Sequence, residues 1–231
     1  MGQGNGSDVK RLYVNTAYEL LSSAGFEGVS AREIARIVGK TPPAVYRHFP
    51  SIDYLSAVAS VRALMPYYKT LSALVPSRAS ALDVNIQTWE CFAFYALKNV
   101  SMYENFFANG GFEGLNPIED YFELFPEERV KVGDIINAPV RLTDLRDRDA
   151  YMIRCAVEEG YIAAESVEYL VDCDELFLRG LFQEYRDVQI DELQAREVTK
   201  KFVGLIYRNY TNCLLPGKRI MADFTSRYTL Y

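Results

Sequence analysis

The chain has 231 residues, of which 49% are hydrophobic and 24% are charged, so it can fold around a substantial core. No apolar run reaches the roughly 18 to 20 residues that a membrane-spanning helix needs, and the N-terminus lacks the apolar core of a signal peptide, which indicates a cytoplasmic protein. The four cysteines stand singly and there is one histidine, so neither a disulfide framework nor a metal or other cofactor is expected.

The net charge of −6 is unevenly distributed along the chain. Residues 1–65 contain seven cations and five acids, whereas residues 66–231 contain 18 cations and 26 acids. The acidity therefore lies in the later part of the chain, and the first 65 residues are mildly basic. Because affinity for DNA depends on cations that displace counterions, any DNA contact is expected in this first part.

The first elements are predicted from caps and apolar spacing. Residues 1–8 are polar and are expected to form a flexible arm. Apolar residues at helical spacing then predict a helix from about Asp8 to Ala24. A shorter helix is expected directly after Ser30, since Ser30 and Glu33 have the pattern of a capping box. Gly39 supplies the positive φ that suits its C-terminus.

A second short helix is predicted to follow this glycine turn. Thr41 is its candidate N-cap, and the Thr41 hydroxyl is expected to accept the N–H of Ala44, because Pro43 cannot donate. A residue before proline avoids the helical region, which leaves the first helical residue open between Pro42 and Pro43. The helix is expected to run to Phe49. Its outer face carries Tyr46, Arg47 and His48.

Two short helices joined by a tight turn are typical of a DNA-reading helix-turn-helix. A further helix is expected from about Ser51, ending or kinking before Pro66. It would link this first segment to the rest of the chain.

Residues 9–65 resemble the DNA-binding domain of the tetracycline-repressor (TetR) family. The resemblance rests on Gly25-Phe26, the cap Ser30, Ile34-Ala35, the glycine turn and the Tyr-x-His-Phe sequence of residues 46–49. It implies an all-α protein, in which an N-terminal helix-turn-helix domain of three helices precedes a larger helical bundle, residues 66–231, that binds an effector and dimerises.

The resemblance also implies which residues contact DNA. Tyr46 and His48 match phosphate contacts of the family, and Arg32 matches a base-contacting position in some members. The groove-facing turn would hold Thr41, Pro42, Ala44 and Arg47, and Lys40 stands just before it. Many relatives carry lysine at the position of Ile52, so one phosphate anchor is missing here.

Beyond Pro66 the sequence predicts long helices and no persistent strand alternation. The helices are expected at about Ala79 to Asn109, Ile118 to Phe125, Asp144 to Tyr161, Ser166 to Asp187 and Asp191 to Leu215. Glycines and prolines between residues 110 and 139 indicate loops around one short helix. This loop region is either an adjustable lid or a plain surface connection.

The larger bundle contains a dense aromatic segment. Its candidate effector-binding residues are Trp89, Phe92, Tyr95, Tyr103 and Phe107. Such a wall suits an apolar or aromatic ligand, and ordinary helix-bundle packing explains it equally well.

The last two long helices carry apolar faces that are expected to pack against other helices. The family resemblance implies that they pair with their copies in a homodimer, and intrachain packing is the alternative. The candidate dimerisation residues are Leu176, Leu181, Phe202, Leu205 and Ile206.

The hypothesis from sequence is therefore a homodimeric regulator, with a repressor favoured over an activator, that binds a pseudo-palindromic operator in double-stranded DNA and is released by a small-molecule effector. No membrane partner is expected. One alternative keeps the DNA reader but places it under a protein partner, or under no ligand at all. An enzyme that uses the aromatic cavity is a weaker alternative, because the carboxylate runs read as solvated helix faces.

Overall fold

The computed structural model describes residues 4–74, 79–108, 112, 114–129 and 144–221. The described residues form, in chain order, α1 (Gly4–Ala24), α2 (Ala31–Val38), α3 (Pro42–Tyr46), α4 (Ile52–Leu74), α5 (Ala81–Leu97), α6 (Val100–Ala108), α7 (Pro117–Leu124), α8 (Leu145–Glu158), α9 (Val167–Tyr185) and α10 (Glu192–Asn212). Over these ranges the only β contact is an isolated bridge between Ile162 and Leu214, so the all-α prediction is confirmed. None of the described helices is both long and apolar enough to cross a bilayer.

The chain divides into two compact units. The first unit consists of residues 1–65 and 105–130, and the second of residues 66–104 and 131–231. The division after Met65 falls where the two predicted domains meet. Residues 105–130, which the sequence analysis assigned to the larger domain, pack with the first unit instead. Helix α4 supplies residues to both units.

The first unit buries one apolar face from each of its helices. Its fully buried side chains include Tyr13 of α1, Ile34 of α2, Val45 of α3, and Leu55 of α4. Residues 4–8 of the predicted arm are helical, as the start of α1, and residues 1–3 lie outside the described range.

The second unit is built around α5. Most of α5 is buried, because it packs against both α8 and α10. Helix α9 packs against α8 and α10. Burial on all sides explains why α5 has no clear polar face.

Two predicted boundaries differ from the observed helices. Helix α4 continues through Pro66 to Leu74, since the proline is exposed and the carbonyl oxygen that loses its donor can be hydrated. The single helix expected from Ala79 to Asn109 is divided into α5 and α6. Asn99 accepts the N–H of Met102 at 3.3 Å and so caps the start of α6.

The loop prediction for residues 110–139 is met in part of its length. Helix α7 is the expected short helix, and a 3₁₀ turn follows it at Pro126–Glu128. Residues 109–111, 113 and 130–143 lie outside the described range.

Candidate functional site

Helix α2 presents a cation at the start of the helix-turn-helix. The Ser30 hydroxyl accepts the N–H of Glu33 at 3.1 Å, which fixes the first turn of α2. Only half of the expected capping box forms, because the Glu33 carboxylate binds Arg36 instead, at 3.0 and 2.5 Å. Arg32 is left exposed at the N-terminal end of the helix.

The turn between α2 and α3 depends on one left-handed residue. Gly39 has φ 69° and ψ 37°, and a side chain would strain this conformation. The Lys40 N–H then donates to the Ala35 carbonyl at 2.8 Å, which closes α2 and leaves the Lys40 side chain exposed. The predicted glycine turn is therefore present.

Helix α3 begins at Pro42, after Thr41 in the N-cap position. The prediction that the Thr41 hydroxyl caps this helix is wrong. The Ala44 N–H donates to the Thr41 carbonyl oxygen at 2.9 Å, as in a simple turn, and the side chain makes no capping bond. The exposed Thr41 side chain is thus available for a contact outside the protein.

The end of α3 carries the aromatic and basic residues of the candidate interface. Helix α3 ends at Tyr46, earlier than predicted, and the Tyr46 side chain is 52% exposed. Arg47 is exposed in the following turn, while His48 is half-buried against Tyr13, with ring centroids 5.7 Å apart. Burial lowers the pKa of His48, and the charges of Lys10 and Arg47 lower it further.

The cations of the candidate interface differ in their partners. Arg32, Lys40 and Arg47 are exposed and take part in none of the ion pairs formed by the described residues. Arg36 is exposed as well, but it is neutralised by Glu33. The exposed positions alongside them are Thr41, Pro42 and Tyr46, while Ala44 and His48 are half-buried.

A polar cluster around Arg62 joins three parts of the first unit. Its guanidinium donates to Asn15 of α1 at 2.9 Å, to the Tyr121 hydroxyl of α7 at 3.1 Å and to Glu128 at 3.0 Å. The Tyr121 hydroxyl also donates to Glu128. The guanidinium carbon lies 5.0 Å from the centroid of the Phe125 ring. We call these residues the Arg62 cluster.

Two further polar contacts attach the segment around α7 to the same helices. The Tyr54 hydroxyl of α4 donates to Asp120 at 2.5 Å, and Arg11 of α1 pairs with Glu127. The sequence analysis assigned Glu119, Asp120 and Glu123 to a solvated face. The available signal was the aromatic spacing of Tyr121, Phe122 and Phe125, whose rings are buried in this unit.

The packing of this segment with the first unit changes the net charge of that unit. Residues 105–130 add six acids and only Arg129 as a cation, which turns the +2 of residues 1–65 into −3 for the first unit. Glu127 and Glu128 are paired with Arg11 and Arg62. The exposed cations near α2 and α3 therefore act as a local patch and not as part of a basic domain.

The predicted effector-binding residues do not all lie in one unit. Trp89, Phe92 and Tyr103 are buried in the second unit. Tyr95 is half-buried, and its hydroxyl is 2.7 Å from that of Thr70. Phe107 belongs to the first unit.

The aromatic rings of the second unit pack edge to face. The ring centroids of Trp89 and Phe92 are 5.9 Å apart, and those of Phe92 and Tyr103 are 5.4 Å apart. Trp89 also meets Phe202 at 6.0 Å. Intrachain packing, the plainer of the two readings, accounts for these contacts.

The candidate dimerisation residues divide into two groups. Leu181, Phe202 and Ile206 are buried inside their own chain and are not accessible to a second copy in this conformation. Leu176 and Leu205 are 66% and 45% exposed. Tyr169, which the sequence analysis did not select, is exposed on α9 as well. A partner surface on α9 and α10 would therefore use only the exposed members.

No cluster of three or more metal-binding side chains is found within the described ranges. The arrangement of exposed cations, a tyrosine and a tight turn fits contact with an anionic duplex.

Comparison with known proteins supports the assignment of α2 and α3 as a helix-turn-helix. Residues 14–57 match the family model described as bacterial regulatory proteins, tetR family. The chain is similar in structure to FadR of Thermus thermophilus, a TetR-family transcriptional repressor in complex with lauroyl-CoA, with a TM-score of 0.54, 14% identity, and coverage of 85% of this chain and 92% of that chain.

A second solved structure, of a TetR-family transcriptional regulator from Mesorhizobium loti, has a TM-score of 0.51 with 12% identity, covering 89% of this chain and 98% of that chain. These likenesses concern the fold. A search among curated proteins found no match.

Proposed function

We propose that this chain, whose residues 14–57 match the family model described as bacterial regulatory proteins, tetR family, regulates transcription by binding operator DNA as a homodimer through α2 and α3. The observation that carries the proposal is the group of exposed residues around the Gly39 turn. Arg32, Lys40 and Arg47 supply positive charge without partners among the described residues, and Tyr46 supplies an exposed hydroxyl. Guanidinium, ammonium and phenol groups are suited to phosphates and base edges.

The chemistry of α3 narrows the mode of base recognition. Pro42 and Ala44 lack side-chain hydrogen-bonding groups, so their contribution to recognition is packing on thymine methyl groups and on DNA shape. Arg32 is suited to the O6 and N7 atoms of guanine. The operator should therefore combine preferences for T with a preference for G at one position that depends on Arg32.

Selection of binding sites from random duplexes tests this mode of recognition. The expected result is a pseudo-palindromic site with T preferences and a G preference that disappears in Arg32→Ala. A site whose strong preferences all lie at G·C pairs, and persist in Arg32→Ala, would contradict the proposed readout. A protein that ignores duplexes at low salt would contradict the proposed function itself.

The regulatory signal is proposed to be a small apolar or aromatic molecule bound by the second unit. Support comes from the aromatic residues of that unit and from the fold, which is shared with a regulator solved in complex with lauroyl-CoA. An effector releases DNA only if it binds the released state more tightly than the DNA-bound state. Repression follows if the operator overlaps a promoter.

A thermal-shift screen in the absence of DNA tests the effector. Acyl-CoA esters, free fatty acids and aromatic acids are suitable first classes. A ligand at 100 times its dissociation constant should stabilise the fold by about 2.7 kcal/mol, and the same ligand should weaken operator binding. If a ligand stabilises the protein but leaves operator binding unchanged, the proposed control of DNA binding is contradicted.

A further inference from the structure

Two aspartates meet in the core of the second unit. Asp149 of α8 and Asp174 of α9 are 4% and 0% exposed. Asp149 Oδ1 accepts from Asn85 Nδ2 at 2.8 Å and from Trp89 Nε1 at 2.9 Å. Asp174 Oδ2 accepts from the Tyr210 hydroxyl at 2.5 Å. Polar side chains of four helices, α5, α8, α9 and α10, thus meet in one buried cluster.

The other oxygen of each aspartate has no N–H or O–H donor. Asp149 Oδ2 and Asp174 Oδ1 are both buried without a partner among the described side chains and backbone groups. The Tyr210 hydroxyl lies 2.5 Å from Asp174 Oδ2 and 3.3 Å from Asp149 Oδ1, which brings the two carboxyl groups close together. Two buried carboxylates side by side would repel strongly, and a proton on one of the two carboxyl groups removes that repulsion.

We propose that Asp149 and Asp174 share a proton in the folded protein, with Asp174 as the carboxylic acid and Asp149 as the carboxylate. The donors fix this assignment. Asp149 Oδ1 accepts two N–H groups, from Asn85 and Trp89, and also lies 3.3 Å from the Tyr210 hydroxyl; these donors stabilise the charged form. Asp174 accepts a single hydroxyl, from Tyr210, and is the better site for the proton.

The surrounding groups strengthen the retention of this proton. Burial raises the pKa of Asp149 to about 6. It raises the pKa of Asp174 well above the usual range, and the Asp149 charge adds to the effect. The other titratable groups that act on the pair are Tyr210 of α10 and Cys173 of α9. Burial also raises the pKa of Tyr210, which keeps the hydroxyl protonated.

The remaining helix neighbours are neutral or point elsewhere. Helix α5 contributes the neutral donors Asn85 and Trp89. On α8, the residue next to Asp149 is Arg148, which donates to the Tyr68 hydroxyl at 3.5 Å. The shared proton is the proposed link between α8 and α9 at this point.

The consequence is a second unit whose stability depends on pH. An aspartate in the unfolded chain loses its proton near pH 4, whereas the folded pair holds one proton at higher pH. Folding therefore takes up a proton, so the stability is fully present below about pH 4 and is lost as the pH rises through the pKa values of the folded pair. The equilibrium constant for unfolding should rise by up to about tenfold per pH unit in this window.

The direct test detects the proton in the full-length wild-type protein. Aspartate labelled with ¹³C at its side-chain carboxyl carbon should give one buried, protonated carboxyl signal at pH 7 by NMR or infrared spectroscopy. That signal should be lost in Asp174→Asn, whose amide can still donate a hydrogen bond to Asp149. It should persist in Asp187→Asn, a control that removes an exposed carboxylate from the end of α9.

Denaturant unfolding from pH 5 to 9 provides the second readout. The wild type and Asp187→Asn should weaken steeply with pH, and Asp174→Asn should lose the one-proton part of that dependence. If Asp174→Asn does not fold, the carboxyl signal of the wild type decides the proposal on its own, since it should be present at pH 7 and should disappear as the pH rises. The proposal fails if the wild type has no protonated buried aspartate at pH 7, or if the variant keeps the signal or the wild-type pH dependence.

Discussion

Arg32 and Arg36 lie one helical turn apart on α2 and differ in their surroundings. Arg36 is bound by Glu33 through two hydrogen bonds, whereas Arg32 is exposed without an ion pair among the described residues. An arginine that already has a carboxylate partner contributes less to a nucleic-acid contact than one that has none. The pair therefore forms an internal comparison for the proposed interface.

Arg32→Ala is expected to weaken operator binding by about 1–3 kcal/mol and to relax the preference at one base pair. Arg36→Ala should weaken it less, because its charge is already neutralised by Glu33. Both affinities can be measured by fluorescence anisotropy with the selected operator at a fixed salt concentration. Equal losses in the two variants would argue against a base contact from Arg32.

His48 should make operator binding depend on pH. Its pKa is lowered in the free protein by burial and by neighbouring cations, so the imidazole is neutral at pH 7 and above. A phosphate beside it would favour the charged form and raise this pKa. Binding should therefore tighten as the pH falls, by at most about tenfold per unit for one proton.

The measurement for His48 is the operator dissociation constant between pH 5.5 and 8. His48→Gln, which keeps a side-chain hydrogen-bond donor but does not titrate, should have a flatter profile than the wild type. An identical pH profile in the two proteins would show that His48 does not approach a phosphate.

At the scale of single residues, side-chain caps were only partly predictable. Ser30 and Gly39 act as expected because their roles depend on local geometry alone. Thr41 does not, because its own carbonyl competes successfully for the Ala44 N–H. Glu33 likewise prefers Arg36 to the Ser30 N–H, since a charged partner binds a carboxylate more strongly.

At the scale of elements, the packing of α7 with the first unit is the main feature that sequence spacing did not reveal. Helix periodicity defines where α7 begins and ends, but it carries no information about which unit the helix packs against. The deciding contacts, such as Arg62 with Tyr121 and Glu128, join residues about sixty positions apart. Such pairs become visible only in the folded chain.

Arg62→Ala should destabilise the first unit by about 1–3 kcal/mol, because it leaves several polar groups of the Arg62 cluster without their partner. Arg129→Ala is the matched control. Arg129 pairs with Glu119 at 3.0 Å on the surface, and its loss should cost no more than about 0.5–1 kcal/mol. Urea unfolding of both variants provides the comparison. Similar losses would mean that the Arg62 cluster is energetically unimportant.

Element boundaries followed the sequence where a capping residue was recognised. Helix α10 begins after Asp191 with both bonds of a capping box to Gln194, one residue from its predicted start. Helices α5 and α6 were merged in the prediction because the apolar spacing continues across their junction. Asn99, a good N-cap residue, was the overlooked signal.

At the scale of the whole molecule, the exposed leucines of α9 and α10 provide a test of dimerisation. Leu176→Glu combined with Leu205→Glu should give a monomer, because charges would be buried at the proposed interface. Loss of the second reading head should then weaken operator binding sharply. Leu115→Glu, which changes an exposed leucine of the first unit, is the control. Light scattering gives the molar mass.

A wild-type protein that is already monomeric at micromolar concentration would contradict the homodimer. A variant that stays dimeric would move the interface away from these leucines. The sequence selected Leu181, Phe202 and Ile206 for the same role because helical spacing does not tell an inner apolar face from an outer one. Their burial inside the chain resolves that ambiguity.

Pro66 removes one backbone hydrogen bond from α4. As a proline it cannot donate to the carbonyl oxygen of Arg62, four residues earlier. Arg62 is also the residue whose side chain fastens α4 to α1 and α7. The same turn of α4 is therefore held by side-chain hydrogen bonds and lacks one backbone hydrogen bond. If α4 bends, we expect the bend to form at this turn.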